Sequence, residues 1–240
     1  HLLEAVRYAP SVKAVVIITT DKVYQNQRWS HPYRESDILG GLDPYSASKS
    51  ACELVADSYR HSFLNQMDIR MATVRAGNVF GGGDWSAERL VPDILRAWSS
   101  KQVLTIRSPS AIRPWQHVLE PACGYLMIAE QLHVNNDTAS AFNIGPDFSD
   151  QVTVLSLIQK FQHALGYGEY RVQNDNLGMH ETDLLLLDNS KAKHVLGIEP
   201  RWNIEQAVKK TVDWYRKLAA GHLASDLCSD DIDFYEKSDE

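Results

Sequence analysis

The sequence predicts an α/β protein: a partial Rossmann-type sheet, doubly wound and parallel, joined to a smaller mixed α/β region. Three observations lead there. A stretch with helical spacing of apolar residues runs directly into Val12-Lys-Ala-Val-Val-Ile-Ile-Thr19, a short β-branched run. Helix-like and strand-like segments then alternate along most of the chain, as they do where parallel strands are joined by helices. The first strand runs are nearly continuous in apolar residues, which suits strands covered on both faces.

Taken in order, residues 1–9 place Leu2, Leu3, Val6 and Ala9 at helical spacing, and Pro10 and Ser11 close the pattern. No Ser, Thr, Asp or Asn cap precedes it, so the residues are expected to begin inside a helix. Turn formers between Asn26 and Pro44 predict a loop. The pattern then predicts a helix over 45–66, a strand over 69–75, a glycine-rich loop over 77–84, a helix over 88–100 and a strand over 103–106. Next come a helix over 118–134 and a strand over 140–144. A helix near 153–165, strands near 170–172 and 182–187, and helices at 189–196 and 204–218 complete the reading. The expected organisation is residues 1–80 as the Rossmann-type part and 81–220 as the second region, with segments returning to the first. Residues 221–240 form an acidic tail.

That tail holds Asp226, Asp230, Asp231, Asp233, Glu236, Asp239 and Glu240 against Lys237 alone, so it carries −6 of the chain's net −7. A solvated or disordered tail is expected from this composition. The other 220 residues are nearly neutral at −1, which argues against nucleic acid or an anionic membrane as a partner and makes any basic pocket local. Cys52, Cys123 and Cys228 are far apart, in no metal-ligand spacing and odd in number, which fits a reducing, cytoplasmic setting. No apolar run reaches the roughly 20 residues that span a bilayer.

Two segments carry chemistry. Tyr45 and Lys49 lie four apart at the start of a helix in Asp43-Pro-Tyr-Ser-Ala-Ser-Lys49, so phenol and ammonium share one face. An adjacent positive charge favours the phenolate and makes Tyr45 a plausible base. Alone, the pair reads equally as a surface Tyr and Lys. It follows Thr20-Asp-Lys22, however, at the carboxyl end of a buried strand, where open α/β sheets place their active crevice.

Thr20-Asp-Lys22, Tyr45-x-x-x-Lys49, the block from Val74 to Trp85 ending Gly-Gly-Gly-Asp-Trp, Ile112-Arg-Pro-Trp-Gln-His-Val118 and Arg201-Trp202 together resemble the extended short-chain dehydrogenase/reductases. Within them the resemblance is to CDP-glucose 4,6-dehydratases, from His1 to about Leu218. It implies NAD as cofactor, with Thr19, Tyr45 and Lys49 as its contacts, and a nucleotide-diphosphate sugar as substrate. It also implies roles: Tyr45 takes the C4 hydroxyl proton while hydride leaves C4, Thr20 holds the C4 oxygen, Lys22 removes the C5 proton and Asp21 protonates the departing C6 hydroxyl. Adjacent residues on an extended segment face opposite ways, so Asp21 and Lys22 can act on one sugar only if a turn intervenes. Relatives acting on dTDP- or GDP-sugars typically carry Glu where this chain has Lys22.

The family's glycine-rich pyrophosphate turn has no counterpart in these residues; Gly81-Gly-Gly83 comes late and follows no such strand. Weak or absent NAD binding by the 240 residues is therefore expected, with activity belonging to the form that carries that turn. Asn78 is the resemblance's diphosphate-binding candidate, with Arg89 and Arg113 suited to bidentate phosphate contact unless Glu88 and Glu120 pair with them. Gln116 and His117 are assigned to the same pocket, His117 for binding or packing. Trp85 and Trp115 are candidates for its lining, and His180-Glu181 for closing it. A homodimer is implied, because relatives commonly associate through the Tyr45 helix. Two alternatives stand: a nucleotide-sugar 4-epimerase, which has no need of Asp21 and Lys22, and a non-catalytic fragment that binds a nucleotide sugar or another subunit.

Overall fold

The structure, a computed structural model, describes residues 1–27, 29–134, 140–173 and 184–239. In chain order the first elements are α1 (Leu2–Arg7), β1 (Ala14–Ile18), a 3-10 turn (Asp21–Val23), α2 (Pro44–Ser62), β2 (Arg70–Ala76), β3 (Val79–Phe80) and α3 (Leu90–Ser99). There follow β4 (Val103–Ile106), β5 (Ile112–Arg113), β6 (Gln116–His117), α4 (Leu119–Val134), β7 (Ala141–Ile144), β8 (Val152–Thr153) and α5 (Val154–Leu165). The last are β9 (Glu169–Val172), α6 (Ser190–Leu196), α7 (Ile204–Ala219) and α8 (Ala224–Glu236). The chain divides into two compact units, one of residues 1–77, 121–145 and 186–199, the other of 78–120, 146–185 and 200–240.

The first unit is α/β. Its sheet has the order β1-β2-β7, all parallel. Alternation along β2 explains the double winding: Ile69 and Met71 join Val6, Ala56 and Leu64 in one core, while Ala72 and Val74 face the other way. There they meet Ile128 and Leu132 of α4, Phe142 of β7, and Leu196 of α6. Gly124 of α4 lies so close to Ile144 that an added Cβ would sit 2.4 Å from its Cδ1, so the helix rides low on β7.

The second unit packs α3, α5 and α7 around Trp98, Ile94, Leu157, Phe161 and Val212. Its strands form three short pairs, β3-β6 and β4-β9 parallel and β5-β8 antiparallel. Four of these strands are two residues long, too short to leave any periodicity in the sequence. The expected strand at 182–187 falls partly outside the described residues; Leu184 and Leu187 make only single bridges, to Ile112 and Tyr33.

The tail differs from expectation. Residues 224–236 form α8, with Leu227 and Tyr235 buried at 3% and 5% exposure. The reason is spacing: residues eight apart share a helical face, and this face meets an aromatic platform. Tyr235 packs on Trp202 at 5.1 Å between ring centres, with the Arg201 guanidinium 4.9 Å over its ring. Asp231, half-buried, and Asp230, exposed, approach Lys210 and Lys217 at 3.6 and 3.8 Å.

Candidate active site

In the first unit β1 ends at Ile18 and the chain turns at once. Thr20 caps the 3-10 turn Asp21–Val23: its hydroxyl donates to Asp21 Oδ1 at 2.9 Å and accepts from the Lys22 amide at 3.4 Å. Asp21 and Lys22 therefore lie in a turn and not on an extended segment. Asp21 is buried at 3% exposure and Lys22 is exposed.

Helix α2 starts at the Asp43 cap. Asp43 accepts from the Ser46 amide at 3.0 Å and the Ser46 hydroxyl at 2.5 Å, and Pro44 occupies the first helical turn, where its missing N–H costs nothing. These bonds, with Lys22 nearby, hold the Asp43 carboxyl below the usual carboxylate range. Tyr45 and Lys49 follow on successive turns, Tyr45 at 49% exposure and Lys49 half-buried. Among the described residues neither the Tyr45 hydroxyl nor the Lys49 ammonium has a hydrogen-bond or ion-pair partner, so both are uncommitted. Next to Lys49, the Ser50 hydroxyl donates to the Val23 carbonyl at 2.7 Å and ties α2 to the turn bearing Asp21 and Lys22.

Below these groups lies a buried polar cluster that pattern reading passed over. Glu53 of α2, 4% exposed, accepts four hydrogen bonds: from Thr19 Oγ1 at 2.5 Å, Thr73 Oγ1 at 3.0 Å, and Arg75 Nε and Nη2 at 2.9 and 2.6 Å. Arg75 also donates to the Tyr24 hydroxyl at 2.8 Å, and Tyr24 donates to Asn143 Oδ1 on β7 at 2.6 Å. Burial alone would lower the Arg75 pKa, but Glu53 and Tyr24 outweigh it and hold the guanidinium above its ordinary value. Two signals were available: Glu53 continues the four-residue step from Tyr45 and Lys49, and Arg75 is a charge inside an apolar strand. Thr19, a candidate cofactor contact, donates its hydroxyl to Glu53.

In the second unit, Asn78 is half-buried and its carbonyl accepts from the Gln116 amide at 3.0 Å. Arg89 is exposed at the start of α3, and Arg113 is half-buried with Nη1 donating to the Ile112 carbonyl at 2.9 Å. Gln116 and His117 are buried at 3% and 2% exposure. His117 lies 4.7 Å from the Trp202 ring, and burial, with a smaller contribution from Lys210, pushes its pKa down to about 3. Of the two roles open to it, these contacts serve packing. Trp115 is also core, whereas Trp85 is 59% exposed with its ring edge-on to Tyr215. Glu120, weighed as an Arg113 partner, accepts from the Arg201 and Trp202 amides and the Tyr235 hydroxyl. His180 and Glu181 lie outside the described residues.

The family model for GDP-mannose 4,6 dehydratase matches residues 1–211. The chain belongs to this family. A CDP-glucose 4,6-dehydratase of Salmonella typhimurium is 43% identical over 92% of this chain and 63% of its own length. Among solved structures, a dTDP-glucose 4,6-dehydratase from Streptomyces venezuelae with NAD bound superposes with a TM-score of 0.76 at 26% identity, covering 90% of this chain and 63% of that one. A UDP-glucuronic acid 4-epimerase from Bacillus cereus gives 0.77 at 20% identity, covering 90% and 65%, and shows the shared fold alone. The chain spans about three-fifths of the length of the curated relatives it matches.

Proposed function

We propose that the protein acts as an NAD-dependent nucleotide-sugar 4,6-dehydratase, converting CDP-glucose to CDP-4-keto-6-deoxyglucose. The observation that carries this reading is the capped turn that puts Asp21 and Lys22 beside the start of α2. A second acid and base serve an elimination, and a 4-epimerase has no use for them. The 43% identity to a CDP-glucose 4,6-dehydratase supports the cytidine nucleotide.

The residues at this end of the sheet fit the nicotinamide half of NAD: Lys49 has a half-buried, uncommitted ammonium suited to ribose hydroxyls, and the Tyr45 phenol lies one turn away. NAD, when bound, accepts hydride from sugar C4 and later returns it to C6. Tyr45 takes the C4 hydroxyl proton, its phenolate favoured by Lys49, and Thr20 holds the C4 oxygen. The resulting 4-keto group acidifies C5–H. Lys22 removes that proton, Asp21 protonates the C6 hydroxyl as it leaves as water, and the proton on Lys22 goes back to C5. Arg89 and Arg113, with Asn78, Gln116 and His117 shaping the second unit around them, are the proposed diphosphate side. The exposed stripe Ala51, Leu54 and Val55 on α2, with Leu54 at 61% exposure, supports a homodimer through this helix. No helix among the described residues is long and apolar enough to cross a membrane, and a cytoplasmic setting is proposed.

Supplied with the family's glycine-rich NAD segment and incubated with NAD and CDP-glucose, the enzyme should yield a product lighter by one water; a product of unchanged mass with inverted C4 would favour epimerisation. Tyr45→Phe should lower turnover about 10²- to 10⁴-fold. Lys22→Ala should abolish solvent deuterium uptake at C5, and undiminished uptake would exclude Lys22 as the base.

A further inference from the structure

We infer that Glu53 and Arg75 are positioning residues for the chemistry at Tyr45, acting as a brace that sets α2 against the exits of β1 and β2. This rests on the dehydratase reading for its kinetic consequence, though the brace itself stands on geometry. Glu53 is two turns below Tyr45 and one below Lys49 on the same helix. Its carboxylate reaches β1 through Thr19, the residue next to Thr20, and β2 through Thr73 and Arg75. Met71, Thr73 and Arg75 alternate onto the α2 face of β2, so the strand offers two polar groups where an apolar core would continue. Arg75 carries the brace on to Tyr24, which immediately follows the Asp21–Val23 turn.

Proton transfer at Tyr45 depends on which separations are fixed. Tyr45 and Lys49 share a helix, so their mutual geometry survives any rigid shift of α2. The separation of Tyr45 from Thr20, Asp21 and Lys22 does not, because those residues belong to the exit of β1. Ser50 to Val23 is one bond across that gap, and the Glu53 cluster adds a fixed-angle, bidentate contact. Four hydrogen bonds to one buried carboxylate exceed what helix packing alone needs, and they converge one helical turn below Lys49.

The test is Glu53→Gln, backed by the double variant Glu53→Met/Arg75→Met, which removes both charges and avoids a lone buried ion. In the active enzyme each should lower kcat about 10- to 100-fold with KM changed by less than about threefold. The primary isotope effect on kcat with C4-deuterated substrate should rise, because the hydride step becomes slower than the steps around it. Hydrogen exchange should increase in segments 19–24 and 44–62 while the 90–99 and 154–165 helices keep their protection. An unchanged isotope effect, with kcat falling only as the folded fraction falls, would reduce the pair to a structural role and overturn the inference. Unchanged exchange in 44–62 would overturn it as well. Should the otherwise unaltered enzyme, supplied with the family's glycine-rich NAD segment, not turn over the sugar, the dehydratase reading fails, and the exchange data still judge the brace.

Discussion

Each unit buries a glutamate, Glu53 in the first and Glu120 in the second, and the two are stabilised differently. Glu53 is matched by a full opposite charge: its Arg75 partner is itself buried, with both side chains 3% exposed. Glu120 is held by dipoles, two backbone amides and a phenol, and burial pushes its carboxyl above the usual range despite those donors. The difference teaches where geometry must be kept. A bidentate guanidinium fixes direction as well as distance, and it lies beneath the residues proposed for proton transfer. Backbone amides and a Tyr hydroxyl hold a chain end in place, and here they dock α8.

The comparison breaks most visibly at Arg75. Arg75→Leu leaves Glu53 buried without its counter-charge and should cost about 3–5 kcal/mol of stability in urea unfolding, whereas the Glu53→Met/Arg75→Met double variant should recover most of it. Equal losses in the two would show that the charge match is not what matters.

Beside Glu120, His117 should give the protein an acid sensitivity. Its folded pKa of about 3 lies below the 6.5 of an exposed histidine, so below pH 6.5 the unfolded chain binds more protons. Its contribution to stability is complete above 6.5 and falls as pH drops toward 3. Between pH 7 and pH 4 the loss should reach up to about 3 kcal/mol, seen as the excess slope of the parent over His117→Asn. Matching slopes would refute it.

The smallest effect tests the dipole side. Tyr235→Phe removes one donor to Glu120 and keeps the ring on Trp202, so it should cost about 1–2 kcal/mol and leave kcat unaltered. A loss as large as that of Arg75→Leu would erase the distinction drawn between the two glutamates.

Much of this was legible in the sequence. The apolar stretch ahead of Arg75 marked β2 because burial on both faces leaves no polar alternation; the β-branched run before Thr20 marked β1, although that strand is only half-buried and Ile18 is 51% exposed. Tyr45 and Lys49 were legible because a four-residue step is a local property of a helix. The α8 docking was not: its composition is acidic, and the Trp202 ring on which Tyr235 packs lies more than 30 positions away. Glu53 and Arg75 escaped for a similar reason. A charge in a strand and a charge on a helix read as isolated solvated groups until the fold brings them to 2.6 Å.

What the sequence alone determined, then, is whatever depends on neighbours a few residues apart: the α/β alternation, the Tyr45–Lys49 face, and the Thr20-Asp21-Lys22 block after β1. Only the tertiary structure decided which carboxylate meets which donor, that Thr19 faces Glu53, that His117 is walled in by Trp202, and that the tail is a docked helix. Local propensity is set by chain-near sterics and hydrogen bonds. The worth of a buried charge is set by partners the chain supplies from far along its length.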